Sequence, residues 1–420
     1  MKFAWLVLAA SACFAQESLT LADAEALAVK QHPQIANARL ITQASGQVTK
    51  EVRSNLYPTL TGNATAVGTL DGSRLAAGFL NAGNLIDRFA TGVQVQQLIT
   101  DFGRTNRLVE SSRLREQSQS ATETFVRAQV LLGVDRAYFR TLRAQAVLKV
   151  AIATVASRQL LTDQVSELAR SNLKSQLDVS FASVNLSEAK LLVATAQNEV
   201  DEAFADLSSA LGYAQPRKFV LSEAAVADTP EVDPSILVTE ALSKRPDLLS
   251  TRLERDSAMK FADAERALSR PTISALGVAG VIPGHDDRLQ GNYGAAGVNV
   301  SVPIFNGGLF SARRSEAEFR AQAANERVRD AEYRVGRDVN VAWLGSSTAY
   351  QRIALTGQLL DQAKLALELA QARYDLGLSS IVELSQAQLN ETGAEIQTLT
   401  SRYEFQIQSA VLKYQVGRMQ

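Results

Sequence analysis

The sequence predicts a mixed α and transmembrane-β fold, with four strands per chain, long coiled-coil-like helical rods and an internal two-fold repeat. Three observations carry this: a duplicated register, two long proline-free stretches, and short segments in which small apolar and polar residues alternate. The duplication comes first. Glu25-Ala26-Leu27 precedes His32-Pro33, and Glu240-Ala241-Leu242 precedes Arg245-Pro246. A shift of 213 positions sets Pro33 on Pro246, Arg39 on Arg252 and Pro58 on Pro271. Further on, a shift of 205 sets Ile99 on Ile304, Asp101 on Asn306, Gly103 on Gly308 and Tyr138 on Trp343. The same shift sets Ser175 on Ser380, Asp178 on Glu383 and Gly212 on Gly417. The first copy therefore carries a longer insertion between Pro58 and Leu98.

Prolines punctuate the chain. Residues 104–211 and 309–416 contain none of the nine, and they are rich in Ala, Leu, Gln, Glu and Arg, which favour helix. Leu389, Thr392, Ile396, Leu399, Tyr403, Ile407, Ala410 and Tyr414 recur at intervals of three or four, as do Ala189, Val193, Ala196, Val200, Phe204, Leu207 and Leu211. Such stripes mark coiled-coil-like packing. Each stretch is interrupted once, at Ser171-Asn172-Leu173 and at Leu376-Gly377-Leu378. Asn and Gly accept the left-handed conformation that ends a helix. The expected helices are 104–170, 177–211, 309–375 and 381–416; the first would run roughly 100 Å at 1.5 Å per residue.

In Pro58–Leu70 one face is Leu60, Gly62, Ala64, Ala66, Gly68 and Leu70, and the other is Thr59, Thr61, Asn63, Thr65, Val67 and Thr69. Period-two alternation of this kind is the transmembrane-strand pattern. Strands are expected near 58–70 and 89–99, with 71–88 as a loop. They recur near 271–282 and 292–304, where Ala296, Val298, Val300, Val302 and Ile304 share a face. Pro283-Gly284-His285-Asp286-Asp287 is read as the turn between them. Closed membrane barrels need about eight strands or more, and an open edge in lipid leaves backbone groups unsatisfied. Four strands therefore demand an oligomer.

Residues 1–15 combine an early Lys2, an apolar run from Phe3 to Ala10 and small residues up to Ala15, the pattern of a secretory signal peptide. Cys13 would leave with it. The competing reading is a lipobox, Ala10-Ser11-Ala12-Cys13, with Cys13 lipidated. The first repeat is placed at 16–215, a linker at 216–234 and the second repeat at 235–420. No later segment reads as ~20 uninterrupted apolar residues, so membrane insertion falls to the strands. Forty-three Lys and Arg nearly cancel 44 Asp and Glu, leaving no basic field for nucleic acid. Two His and one Cys leave little for a metal site. His32 is read as a helix-boundary residue and His285 as a loop residue, neither as a ligand. No nucleophile–base pair and no phosphate-binding glycine loop is present, so neither an enzyme nor a cofactor is expected.

In sum of its motifs, the chain resembles the TolC-type outer-membrane factor family over essentially the whole mature sequence. The residues carrying the resemblance are Leu21–Leu27 with His32-Pro33, Tyr57-Pro58, and Asp101-Phe102-Gly103-Arg104. In the second copy they are Arg245-Pro246-Asp247-Leu248, Pro303-Ile304-Phe305-Asn306-Gly307-Gly308 and Tyr374-Asp375-Leu376-Gly377-Leu378-Ser379. The resemblance implies a homotrimer in which three chains form a twelve-stranded outer-membrane barrel and a twelve-helix tunnel across the periplasm. It implies docking to a periplasmic adaptor and an inner-membrane pump, as a passive conduit in efflux or type I secretion.

The same resemblance assigns roles. Asn172, Leu173, Gly377, Leu378 and Ser379 form the tips that meet the adaptor. Glu383 and Asp178 line the periplasmic entrance as carboxylate rings favouring cations, with Gln386 standing where the family often has a second acid. Tyr374 latches the entrance with Asp178 as its partner, while Ser379 occupies the place of a basic residue that often reinforces this latch. The residues alone also admit a periplasmic coiled-coil scaffold or adaptor without a pore, which would lack membrane-crossing strands.

Overall fold

The computed structural model describes residues 18–68, 70, 74–77, 80–84, 87–223, 233–285 and 290–419. The expected signal peptide with Cys13, part of the linker, and Asp286-Asp287 lie outside the described residues. In chain order the elements are β1 (Ser18–Leu19), α1 (Leu21–Gln31), α2 (Pro33–Ser54), β2 (Thr59–Val67), β3 (Arg74–Ala77), β4 (Leu80–Asn84) and β5 (Arg88–Thr100). Then come α3 (Arg104–Arg170), α4 (Gln176–Ala210), β6 (Val220–Leu221), α5 (Pro234–Lys244) and α6 (Pro246–Arg266). The chain closes with β7 (Thr272–His285), β8 (Asn292–Ser301), α7 (Leu309–Asp375) and α8 (Ile381–Val416). Among the described residues no helix is long and apolar enough to cross a membrane. Contacts divide the chain into two units. One holds Arg39–Thr122 and Asp247–Ala331; the other holds the residues up to Ala38, Glu123–Pro246 and Glu332–Gln420.

The first unit carries an antiparallel sheet in the order β2-β5-β7-β8. Thr59 stands opposite Gln96, Val95 opposite Gly277, and Thr272 opposite Ser301. Among the described residues only β5 and β7 of this sheet are paired on both sides, so β2 and β8 are its edges within one chain. All ten residues of β8 are exposed. Tyr293 of β8 lies across Gly280 of β7 and Gly92 of β5, leaving no room for a β-carbon at either. An aromatic covering glycines on neighbouring strands pins register.

Two expectations are corrected here. Pro283-Gly284-His285 is not a turn but the end of β7, with Gly284 opposite Phe89 and His285 opposite Arg88. The register shifts between Phe89 and Thr91, and such an irregularity accommodates a proline that cannot donate to the ladder. The stretch 71–88 is not simply loop, because β3 and β4 pair antiparallel within it. In the last strand, regular structure stops at Ser301, two residues before Pro303, whose missing N–H ends the ladder.

Where strands pass into rods, the backbone turns left-handed twice in succession. Phe102 and Gly103 have φ of 55° and 85°, and Gly307 and Gly308 have 62° and 84°. A non-glycine at Phe102 is held there by Asp101, whose Oδ1 accepts from Gly103 N (3.1 Å) and whose Oδ2 accepts from Thr105 N (2.7 Å) and Oγ1 (2.6 Å). Close by, Glu265 at the end of α6 is buried between two arginines. Arg104 Nη2 lies 3.4 Å from its Oε1, and Arg313 Nε lies 2.8 Å from its Oε2. The second contact is an ion pair off the line of a good hydrogen bond.

The second unit has its core where α1, α3 and α4 meet. Tyr138 is fully buried and donates to the Ser222 carbonyl at 2.6 Å, with the Leu19 carbonyl at 2.9 Å. That hydroxyl fastens α3 to the parallel pair β1 and β6. Val134, Leu207 and Leu211 complete this core with no exposed surface, each worth about 1.5–3 kcal/mol when fully buried.

Asp135, also on α3, is only 4% exposed, and its Oδ1 has no hydrogen-bond partner. Burial first, then the Glu25 carboxyl beside it, pushes Asp135 up to about 8, against a smaller opposing effect of Lys413. The fold therefore binds a proton that the unfolded chain releases near pH 4. Stability from this group falls as pH rises from about 4 to 8. Asp135→Asn is expected to remove that fall and to stabilise the protein at pH 8 by about 1–3 kcal/mol, the scale of a poorly satisfied buried polar group. Thermal melts followed by circular dichroism at pH 5 and 8 check this.

Candidate functional site

Each rod pair ends in a helix–turn–helix tip, and the two tips share one design. Leu173 N donates to the Leu168 carbonyl (2.9 Å) and Asn172 N to that of Ala169 (3.0 Å). At the other tip Leu378 N donates to Arg373 (2.8 Å) and Gly377 N to Tyr374 (3.0 Å). These paired bonds are the Schellman helix ending. It requires a left-handed residue, supplied by Asn172 (φ 56°) and Gly377 (φ 73°). The turns leave Leu173, Leu376 and Leu378 at 70%, 74% and 68% exposure. An apolar knob thus stands out from each tip.

The helices leaving the tips start on serine. Ser175 Oγ accepts from Asp178 N (3.2 Å), and Asp178 Oδ2 accepts from Ser175 N (3.0 Å) and Ser175 Oγ (2.8 Å), a closed capping box. These bonds to Ser175 hold the Asp178 carboxyl below the usual aspartate range. Ser380 caps α8 in the same way, with Glu383 N at 3.4 Å. The Glu383 carboxylate does not return the bond; it pairs with Arg373 of α7 at 3.3 Å. Gln386 bonds Asn390 one turn on (3.0 Å) and stays neutral. Ser175→Ala is expected to cost about 1 kcal/mol of tip stability. Hydrogen exchange at the Asp178 amide should then speed up about five-fold.

Four helices close over the tips through Leu161 and Val165 of α3, Val179 of α4, Ala370 and Tyr374 of α7, and Ile381 and Leu384 of α8. Tyr374 is 6% exposed and its hydroxyl is enclosed without a hydrogen-bond partner. Within one chain, the expected hydroxyl–carboxylate bond between Tyr374 and Asp178 is not made, because Asp178 is committed to its own helix cap. Burial, and then the Asp178 charge, raise the Tyr374 hydroxyl above the usual range. Lys174 acts on both groups. Its ammonium lies 3.9 Å from the Tyr374 ring centroid, and its charge also lowers Asp178. A cation of the opposite tip thus faces the Tyr374 ring. Ser379 itself buries its hydroxyl without a partner.

Lys174 and Arg373 escaped the sequence reading. Their signal lay in the neighbouring residues: Ser175-x-x-Asp178 and Ser380-x-x-Glu383 are both N-cap patterns, which fix the acids on the tip and leave these flanking cations to face them.

Helical hairpins with such tips and a four-stranded sheet with open edges both have known counterparts. Residues 26–213 and again 237–418 match the outer membrane efflux protein family. The chain belongs to that family. Its TolC-type character is borne out by outer membrane protein TolC of Salmonella enteritidis, 24% identical over 95% of this chain and 83% of the relative. TolC of Escherichia coli K12 is 23% identical over 92% and 80%. Among solved structures, the fold matches CusC with a TM-score of 0.82 at 20% identity, covering 94% of this chain and 92% of that one. It matches VceC of Vibrio cholerae with a TM-score of 0.81 at 17% identity, covering 94% and 96%. This outer membrane efflux protein is accordingly a channel subunit located in the outer membrane.

Proposed function

We propose that three copies of the chain close a twelve-stranded barrel and continue it as a helical tunnel, forming a passive conduit. A periplasmic adaptor docks at the tips, and an inner-membrane pump supplies the energy, in efflux or type I secretion. The observation that carries this is the sheet itself: four strands, two open edges, and residues exposed along both faces of β8. In lipid such edges are satisfied only by closure, and β2 of one copy against β8 of the next supplies it.

The internal repeat supports the same assembly. Within one chain α3 packs on α6 through Ser111 against Ser257 (3.0 Å) and Ser118 against Ser250 (2.9 Å). The corresponding α7 residues, 205 positions later, are Glu316 and Ala323, and both are exposed. The counterpart of Ser257 on α2, 213 positions earlier, is Ala44, exposed beside Leu40, Ile41 and Val48. The α7 of one copy and the α2 of the next thus offer the two halves of a contact that the chain already makes internally.

At the entrance, three Glu383 and three Asp178 side chains form the carboxylate rings, with Gln386 adding no charge. Tyr374 and Asp178 act as the latch, joined through Lys174 rather than directly. Leu173 and Leu378, with Asn172, Gly377 and Ser379 shaping the turns, are the knobs that enter the adaptor. Because Glu383 is matched by Arg373, the ring's net charge is small, and Glu383→Gln is expected to lower cation-over-anion preference only about two- to three-fold. An exposed ion pair carries about 0–1 kcal/mol. Reversal potentials across a salt gradient measure this, and an unchanged preference would remove Glu383 from the ring.

A further inference from the structure

Where β5 passes into α3, two guanidiniums converge on one carbonyl. Arg107 of α3 and Arg270, two residues before β7, each place Nη1 3.3 Å from the Phe102 oxygen. Gly103 has no side chain to cover this spot, and Arg107 Nη1 lies 3.4 Å from where its β-carbon would stand. The acids at this junction are committed elsewhere. Asp101 is used within the turn, Glu265 holds Arg104 and Arg313, and Asp263 and Glu318 hold Arg266. Among the described residues neither Arg107 nor Arg270 has a carboxylate within ion-pair distance. The turn itself does not require them. In the duplicated register Phe102 and Arg107 correspond to Gly307 and Ala312, and Arg270 corresponds to Tyr57. That second junction makes the same double left-handed turn with neither arginine. The first junction also sets a phenylalanine where the second has glycine, although a bulky side chain at positive φ is strained.

Each guanidinium gives one N–H to a neutral oxygen and keeps further donors in a planar fork that matches phosphate. Two like charges held on one atom repel, and an anion between them relieves the repulsion. The pair sits at the rod end of the two central strands, where Thr100 stands opposite Ile273, away from the edges β2 and β8. Pairing of those edges with further copies therefore leaves it uncovered. Strands that cross lipid end at head-group level, where basic pockets hold phosphates and aromatics line the boundary. Phe102 and Ile99 are exposed at this level and give apolar surface beside the cations. We propose that Arg107 and Arg270 bind the phosphate of an anionic phospholipid, with Phe102 against the start of an acyl chain. The site ties the strand-to-rod junction to the periplasmic leaflet, and it rests on the reading of the four strands as part of a membrane barrel.

The test titrates the delipidated full chain in nonionic detergent with short-chain phosphatidylglycerol, short-chain phosphatidylcholine or inorganic phosphate, followed by calorimetry. Phosphatidylglycerol is expected to bind once per chain, about ten-fold tighter than either of the others. Arg107→Gln with Arg270→Gln should weaken it about ten-fold, the scale of one lost charge-assisted bond. Arg107→Lys with Arg270→Lys keeps the charge but not the fork, and should weaken it about three-fold. Circular dichroism melts check that both pairs fold; if the Gln pair does not, the Lys pair decides. Phe102→Ala should weaken phosphatidylglycerol and leave inorganic phosphate unchanged. Phosphatidylglycerol binding untouched by the arginine pairs would overturn the site. Inorganic phosphate binding as tightly as the lipid, with Phe102→Ala altering neither, would mean a free anion and overturn the lipid assignment. Calorimetry needs no current. Lipid bound as expected by an oligomer that conducts nothing leaves the inference standing and removes the conduit; normal conductance with binding unchanged in both pairs removes the inference alone.

Discussion

Glu265→Ala should destabilise the protein by about 3 kcal/mol, the lower end of the cost of breaking a buried ion pair. The carboxylate is 2% exposed, but the side chains of Arg104 and Arg313 keep 29% and 44% exposure and can turn to solvent when it is lost. One carboxylate here fastens three junctions: α3 as it leaves β5, α7 soon after it leaves β8, and α6 before it enters β7. Melting by circular dichroism should show a fall of several degrees. A triple change, Glu265→Leu with Arg104→Met and Arg313→Met, should recover most of it, since no charge is then stranded. A melt unaltered by Glu265→Ala would mean that the triad is ornamental.

Val298→Arg carries the second large effect. Ala296, Val298 and Val300 alternate on one face of β8, and Val298 and Val300 stand 65% and 56% exposed. In a closed barrel that apolar face meets lipid, where an arginine near the midplane costs about 2–4 kcal/mol per chain. If three copies close the barrel, unheated gel samples should show a detergent-resistant oligomer for the wild type and none for this variant. Asn299→Arg, one residue on and facing the opposite side, should leave it intact. Equal loss from both changes would show that the sheet has no lipid face.

These effects trace back to features that differ in how openly the sequence displays them. The rods were legible because residues 104–211 and 309–416 lack proline, and α3, α4, α7 and α8 lie within those limits. The alternation from Thr59 to Val67 was equally plain, since a two-residue period has no helical reading. Pro283 misled, because proline and glycine signal a turn locally while the pairing of β7 with β5 is decided by distant residues. The β3–β4 hairpin was hidden in a Gly- and Asn-rich stretch whose composition looks like loop. At the tips, Asn172 and Gly377 were readable from their backbone preferences. The Lys174–Tyr374 and Arg373–Glu383 contacts were not, because they join helices whose relative rotation no local pattern contains.

The most direct test of the account is the current carried by the detergent-purified, unheated oligomer in a planar lipid bilayer. Three chains closing one barrel predict discrete, uniform conductance steps, whose frequency rises when Tyr374→Phe and Asp178→Ala are combined at the entrance. Verified insertion of intact oligomer with no steps, in both the wild type and that double variant, would contradict a continuous conduit and favour a periplasmic scaffold.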